Sequence, residues 1–250
     1  MKSSGKKAGV KRKDRLFADK KPATDFKFGK ETANVFDDMV SRSVPFYQEI
    51  QRMVCELTEK FALPGTNIYD IGCATGTTLG LLQHLTRQDI TLIGIDNSDE
   101  MLGKAGKKLG LGSKQSRIKL QNTDLDKLNN IDNASVVIML LTLQFVRPLH
   151  REKLLRMINN GLVKNGCLIL VEKVTGSSTL LNRIFIENYY DFKRRNGYSE
   201  LEISQKREAL ENVLIPYHHD ENKQLLKDTG YSASDEFFRW YNFSGIIAVK

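Results

Sequence analysis

One stretch decides more about this 250-residue chain than any other: Asn67-Ile-Tyr-Asp-Ile-Gly-Cys-Ala-Thr-Gly-Thr-Thr-Leu79. The apolar run from Ile68 to Ile71 has the composition of a strand. It breaks on Gly72, with a second glycine at Gly76, and Leu79, Leu82 and Leu85 then follow at helical spacing. Strand, glycine turn, helix is the arrangement that brings backbone N–H groups and a helix N-terminus against a ligand. Gly72 lets the backbone turn sharply with no Cβ in the way.

The spacing narrows the ligand. Dinucleotide sites need G-x-G-x-x-G with the pyrophosphate on the helix N-terminus. Here the glycines read G-x-x-x-G, and Asp70 stands two residues before the first. A carboxylate there repels a pyrophosphate and suits a ligand carrying an ammonium or a sulfonium. The pattern D-x-G-x-x-x-G resembles motif I of the S-adenosylmethionine (SAM) methyltransferase superfamily. Alone, it also fits a plain strand-to-helix turn in some other α/β protein.

Around this stretch the chain alternates strand and helix. A helical pattern at Thr32–Met39 comes first, then the linker Arg42–Tyr47 into a second helix whose apolar stripe runs from Ile50 to Phe61, with Pro45 expected in its first turn. Strands are predicted at Asn67–Ile71, Thr91–Asp96, Ile118–Asn122, Ala134–Leu141 and Cys167–Glu172. The fourth is continuously apolar, as a central parallel strand should be. A helix from Asn222 to Thr229 and a hairpin of Phe237–Tyr241 with Gly245–Val249 end the chain. The expectation is a seven-stranded Rossmann-like α/β fold with N-terminal helices and a helical insertion after strand five. That insertion, Val174 to Asp220, holds an aromatic-rich helix from Leu180 to Arg194 and a second one opened by the capping box Ser199–Glu202.

The net charge of +8 is a property of one end. Residues 1–21 carry nine Lys/Arg against Asp14 and Asp19, and the rest of the chain is close to neutral. A basic disordered tail over residues 1–21, ordered at the earliest after about Lys13, and a single domain over 22–250 are expected. The tail solubilises, or touches RNA through loose phosphate attraction. No apolar run reaches the roughly 18 residues of a membrane span, and no secretory h-region is present. The three cysteines and four histidines form no metal pattern. A cytoplasmic protein without membrane, metal or direct DNA binding is the expectation.

Three acids close three consecutive strands: Asp70, Asp96 and Asp124. A SAM-like ligand presents an ammonium, two ribose hydroxyls and an adenine amine, and carboxylates are strong acceptors for each. Asp96 stands where a ribose-binding acid sits, and Asp124 with the Leu125 N–H could read adenine. After strand four the chain reads Leu140-Leu-Thr-Leu-Gln-Phe145, with neither the Asn/Asp-Pro-Pro turn of amino-methyltransferases nor a Pro-Cys nucleophile.

Arg42-Ser-Val-Pro45, Thr142-Leu-Gln-Phe145, Asp191-Phe-Lys-Arg194 and above all Asn196-Gly-Tyr-Ser-Glu-Leu-Glu-Ile-Ser-Gln-Lys-Arg207 resemble the carboxy-S-adenosyl-L-methionine synthase family, over about Asp14 to Lys250. The resemblance implies conversion of SAM and prephenate to carboxy-SAM, with release of phenylpyruvate and water. It implies that Arg207 grips the product carboxylate and is the residue on which the chemistry turns. Tyr47 would lie over the cofactor, with Gly72, Cys73 and Ala74 against its amino-acid part. Asp96 and Asn97 would clamp the ribose, and Asp124 and Leu125 contact adenine. Leu140 replaces the Asn common in the family, which weakens a polar contact there. The resemblance further implies a homodimer and a product passed to a tRNA carboxymethyltransferase for wobble-uridine modification. Two other readings stand beside it: a conventional SAM methyltransferase using the same pocket, and a non-catalytic SAM-binding RNA module using the basic tail.

Overall fold

The computed structural model describes residues 13–20, 22, 24–111 and 116–250. Two helices, α1 (Lys30–Ser43) and α2 (Tyr47–Phe61), precede β1 (Asn67–Ile71). Then follow α3 (Thr77–Leu85), β2 (Thr91–Asp96), α4 (Asp99–Lys108), β3 (Ile118–Asn122), β4 (Ala134–Leu140), α5 (Pro148–Gly161) and β5 (Leu162–Thr175). The insertion contributes α6 (Thr179–Arg195), α7 (Glu200–Leu210) and the two-residue β6 (Tyr217–His218). Helix α8 (His219–Asp228) and the hairpin of β7 (Ala233–Trp240) and β8 (Phe243–Val249) close the chain.

The sheet runs β3-β2-β1-β4-β5-β8-β7, parallel through β5 and antiparallel from β8 on. The expected seven strands are present, and β6 adds a short eighth. Strand β5 continues past the expected end at Glu172, and its last two residues pair with Tyr217 and His218. Side chains alternate between the two faces along each strand. Ile68, Leu92, Val136, Ile138 and Ile169 meet Ile50 and Val54 of α2 and Leu79 and Leu82 of α3. Tyr69, Ile93, Val137, Met139 and Leu168 meet Leu154, Leu155 and Ile158 of α5 and Leu226 of α8. Each buried Ile or Leu contributes about 1.5–3 kcal/mol. The chain order reverses between β1 and β4, so their carboxyl ends flank the crevice where such sheets take ligands.

Several boundaries shift by a few residues, and three departures near the N-terminus bear on the site. Helix α1 runs on to Ser43, whose hydroxyl donates to Met39 O at 2.6 Å. Pro45 stands outside α2, because Phe46 takes a left-handed conformation (φ 52°) at the helix entrance. The basic stretch does not stay off the domain as far as residue 21. Asp14 is buried, accepting the Tyr198 hydroxyl at 2.7 Å, and its carbonyl accepts Arg42 Nη2 at 2.7 Å. Gln205 Nε2 holds the carbonyls of Phe17 and Asp19 at 2.9 Å each. The segment from residue 13 therefore straps α1 to α7. Of the expected tail over residues 1–21, residues 1–12 and 21 lie outside the described residues, as do residues 23 and 112–115.

Candidate active site

A cavity of about 480 Å³ opens at the carboxyl ends of β1, β2 and β4. It is lined by every residue that the sequence singled out except Arg207: Tyr47, Asp70, Gly72, Cys73, Ala74, Asp96, Asn97, Asp124, Leu125 and Leu140. Gly72 sits at φ +76°, and a Cβ there would lie 2.3 Å from Thr142 Oγ1, so glycine is required on both counts. The loop amides do not face a ligand as expected. Gly72 N and Cys73 N donate to Ile95 O at 2.7 and 3.1 Å, and Ala74 N donates to Asp96 Oδ2 at 3.0 Å. They pin the loop to β2.

Asp96 is oriented by that bond and by Ser98 N, which donates to Oδ1 at 2.9 Å. Each carboxylate oxygen retains a lone pair, which suits a vicinal diol. Asp96→Ala is expected to weaken SAM binding by about 1.5–3 kcal/mol; titration calorimetry with SAM reads this, and unchanged affinity removes Asp96 from the site. Asp70 is 2% exposed, and its Oδ2 has no hydrogen-bond partner among the described residues. Burial, and then the field of Asp96, pushes its pKa up to about 7. An orphaned carboxylate in a cavity is a socket for a cation. Burial likewise pushes the Tyr47 hydroxyl up to about 12, where it accepts from Gln51 Nε2 at 3.0 Å. Asp124 is exposed at the rim and caps the short turn Leu125–Lys127 through Asp126 N.

Several lining residues escaped the sequence reading. Phe28 packs edge-on against Phe26 and Phe145, with centroids 5.1 and 5.2 Å apart, and all three face the cavity. They offer a flat apolar surface of the kind a purine ring takes. Lys206 also lines the cavity, 6% exposed, with no hydrogen-bond partner for Nζ among the described residues. Its place on the face of Ile203 and Leu210 at helical spacing was the available signal.

Arg207 is exposed and lines a second cavity of about 260 Å³. Successive residues of a helix project about 100° apart, so one step along α7 exchanges the arginine for a lysine at the main cavity. The two cavities share Leu141, Gln144, Lys206 and Leu210.

The loop after β4 is held from beneath. Glu172, 3% exposed, accepts Thr142 N at 3.2 Å, Leu143 N at 2.9 Å and Gln144 N at 2.7 Å. Burial pushes its pKa up to about 8 against those three amides and Arg151. Arg151, 1% exposed, donates to the carbonyls of Val146, Gln144 and Ile215 and lies 4.2 Å over the Tyr217 ring. On the other side, Lys108 Nζ bonds Asp37 at 2.7 Å and Thr75 at 2.9 Å, tying α1 to the glycine loop.

This sheet order, with a cavity at the β1–β4 crevice and an acid closing β1 and β2, defines a class I SAM methyltransferase fold. Residues 68–166 match a family described as a methyltransferase domain. Solved structures agree on the fold. Human N-acetylserotonin methyltransferase in complex with SAM aligns with TM-score 0.58 at 13% identity, covering 88% of this chain and 55% of that one. The plantazolicin methyltransferase aligns with TM-score 0.60 at 17% identity, covering 86% and 89%. Closer relatives define the family. A carboxy-S-adenosyl-L-methionine synthase of Methylococcus capsulatus is 56% identical over 227 residues, 90% of this chain and 94% of its own length. That of Desulfotalea psychrophila is 45% identical over 240 residues, 96% and 98% of the two chains. The chain belongs to the carboxy-S-adenosyl-L-methionine synthase family.

Proposed function

We propose that this protein converts SAM and prephenate to carboxy-SAM, releasing phenylpyruvate and water. The observation that carries the reading is the pairing, in one cavity, of an orphaned buried carboxylate, Asp70, with an orphaned buried ammonium, Lys206. A ligand with a cationic and an anionic end satisfies both. The residues present fit SAM: Asp70 and Tyr47 face its charged part, Asp96 and Asn97 the ribose, Asp124 and Leu125 the adenine, and Gly72, Cys73 and Ala74 the amino-acid end. Leu140 gives this wall an apolar contact where an amide is common. When bound, SAM supplies a methyl group acidified by the neighbouring sulfonium, and no protein nucleophile is needed. The protein's part is proximity, exclusion of water and anion binding. The aromatic wall of Phe26, Phe28 and Phe145 gives the purine ring an apolar surface.

Arg207, assigned by resemblance to the product carboxylate, stands on the second cavity beside the wall that Lys206 shares. Lys206 and Arg207 together form the cationic side toward which a carboxylate on the sulfonium arm would point. Wild-type protein is expected to bind carboxy-SAM at least about tenfold tighter than SAM, and Arg207→Ala to flatten that preference while SAM affinity holds. Paired calorimetric titrations with both ligands decide it, and an unaltered preference in the variant removes Arg207 from carboxylate recognition. A homodimer in the cytoplasm, handing its product to a tRNA carboxymethyltransferase, completes the reading, with no membrane, metal or DNA in it.

A further inference from the structure

Three elements meet in a polar cluster at the edge of the main cavity. Asp37 stands on α1, Thr75 on the glycine loop, Thr77 at the start of α3, and Lys108 at the end of α4. Lys108 Nζ donates to Asp37 Oδ2 at 2.7 Å, to Thr75 Oγ1 at 2.9 Å and to Thr77 Oγ1 at 3.0 Å. Thr75 Oγ1 donates in turn to the other oxygen of the same carboxylate, Oδ1, at 2.5 Å. The ring of bonds is closed, because the ammonium uses all three of its protons and both carboxylate oxygens are engaged. Burial acts to raise the Asp37 carboxyl, and the bonds from Lys108 and Thr75 outweigh it, holding the group below its ordinary range.

The cluster spans the boundary between cavity and solvent. Thr75 is 2% exposed and lines the cavity together with Thr77, whereas the Asp37 and Lys108 side chains are 49% and 35% exposed. Phe36, Met39 and Val40, neighbours of Asp37 on α1, line the same cavity as Asp70 and the glycine loop. Helix α4 packs closely on that loop: a Cβ on Gly76, at φ +72°, would lie 3.1 Å from Ala105 Cβ and from Leu109 Cδ1. Loop and α4 therefore form one body, and Asp37 is where α1 is fastened to it. The Asp37 charge and the Thr77 hydroxyl also bear on the Tyr47 hydroxyl. A half-exposed ion pair adds little to global stability. Its strength is on the scale of local openings, which determine how freely a wall element leaves a site.

We propose that Asp37 and Lys108 are positioning residues: they clasp α1 onto the glycine loop and so set how fast SAM leaves the cavity. Neither side chain is among the described residues that line the cavity. They act through Thr75, Thr77 and the apolar wall that α1 carries. The proposal rests on SAM binding in the main cavity and not on which reaction follows.

Release is followed by filtering protein loaded with radiolabelled SAM at intervals after a chase of excess S-adenosylhomocysteine. Asp37→Asn and Lys108→Met are expected to release SAM about tenfold faster than wild type, the size of one lost charge-assisted bond. Lys108→Arg keeps the charge and should stay within about threefold of wild type. Melting temperatures should move by less than about 3 °C, as for other half-exposed pairs. Molar salt screens such a pair, so it should narrow the gap between wild type and Lys108→Met. Equal release rates in wild type and both charge-removing variants overturn the clasp and leave SAM binding standing. Faster release that Lys108→Arg shares in full, or a gap that molar salt leaves unmoved, overturns it as well, since charge is then not what holds α1. A wild type that retains no SAM overturns the cofactor reading itself, and the clasp's role with it.

Discussion

Asp70→Asn is expected to weaken SAM binding by about 3–5 kcal/mol, the cost of removing one partner from a buried charge pair. The reason is local. Asp70 closes β1 in a place where water does not reach it, and its free oxygen has no protein partner among the described residues. Its pKa, raised from 3.8 to about 7 by burial and then by Asp96, fixes two signs. A carboxyl group whose folded value is raised stabilises the fold fully at pH below its unfolded value, and that stability is lost as pH rises through the folded value. The ligand-free protein should therefore lose stability between about pH 4 and pH 7, and Asp70→Asn should flatten this part of the profile. A cationic ligand favours the ionised form, so SAM affinity should climb as pH rises toward about 7, and the variant should lack the climb. Melting curves and calorimetry across that range measure both. A wild-type affinity independent of pH, equalled by the variant, would remove Asp70 from ligand recognition.

Glu172→Ala is expected to destabilise the fold by about 3–5 kcal/mol. The side chain gathers the amides of Thr142, Leu143 and Gln144 beneath the cavity, in the field of the buried Arg151. Alanine leaves three buried amide donors without an acceptor. The loop that carries Thr142 also packs on Gly72, so SAM affinity should fall along with stability. Chemical denaturation with and without SAM separates the two effects. A variant as stable as wild type would show that other groups satisfy the loop.

What the sequence disclosed and what it hid follow a physical line. Asp70, Gly72 and Asp96 were legible because strand period, glycine turn and strand end are local signals, and the fold brings consecutive strand ends to one crevice. The two insertion helices were legible from the Asn196–Gly197 stop and the Ser199–Glu202 capping box, which forms as expected. The lysine cluster of the second cavity was not legible, because Lys173, Lys193 and Lys206 come from a strand and two helices whose packing no short window encodes. That Arg207 lines the adjoining cavity, one helical step from Lys206, was not legible, since resemblance carries an identity but not the direction in which a helix presents it. The end of the basic tail was read from local charge density, whereas Asp14 is held by Tyr198, 184 residues away. Its burial is a tertiary fact that composition cannot carry.

Incubation of the purified protein with SAM and prephenate, followed by mass spectrometry of the small molecules, tests the synthase reading most directly. The expected product is heavier than SAM by one carbon dioxide, appears only when prephenate is present, and is matched mole for mole by phenylpyruvate. SAM recovered unchanged, or demethylated with its methyl on an acceptor, would contradict the synthase reading.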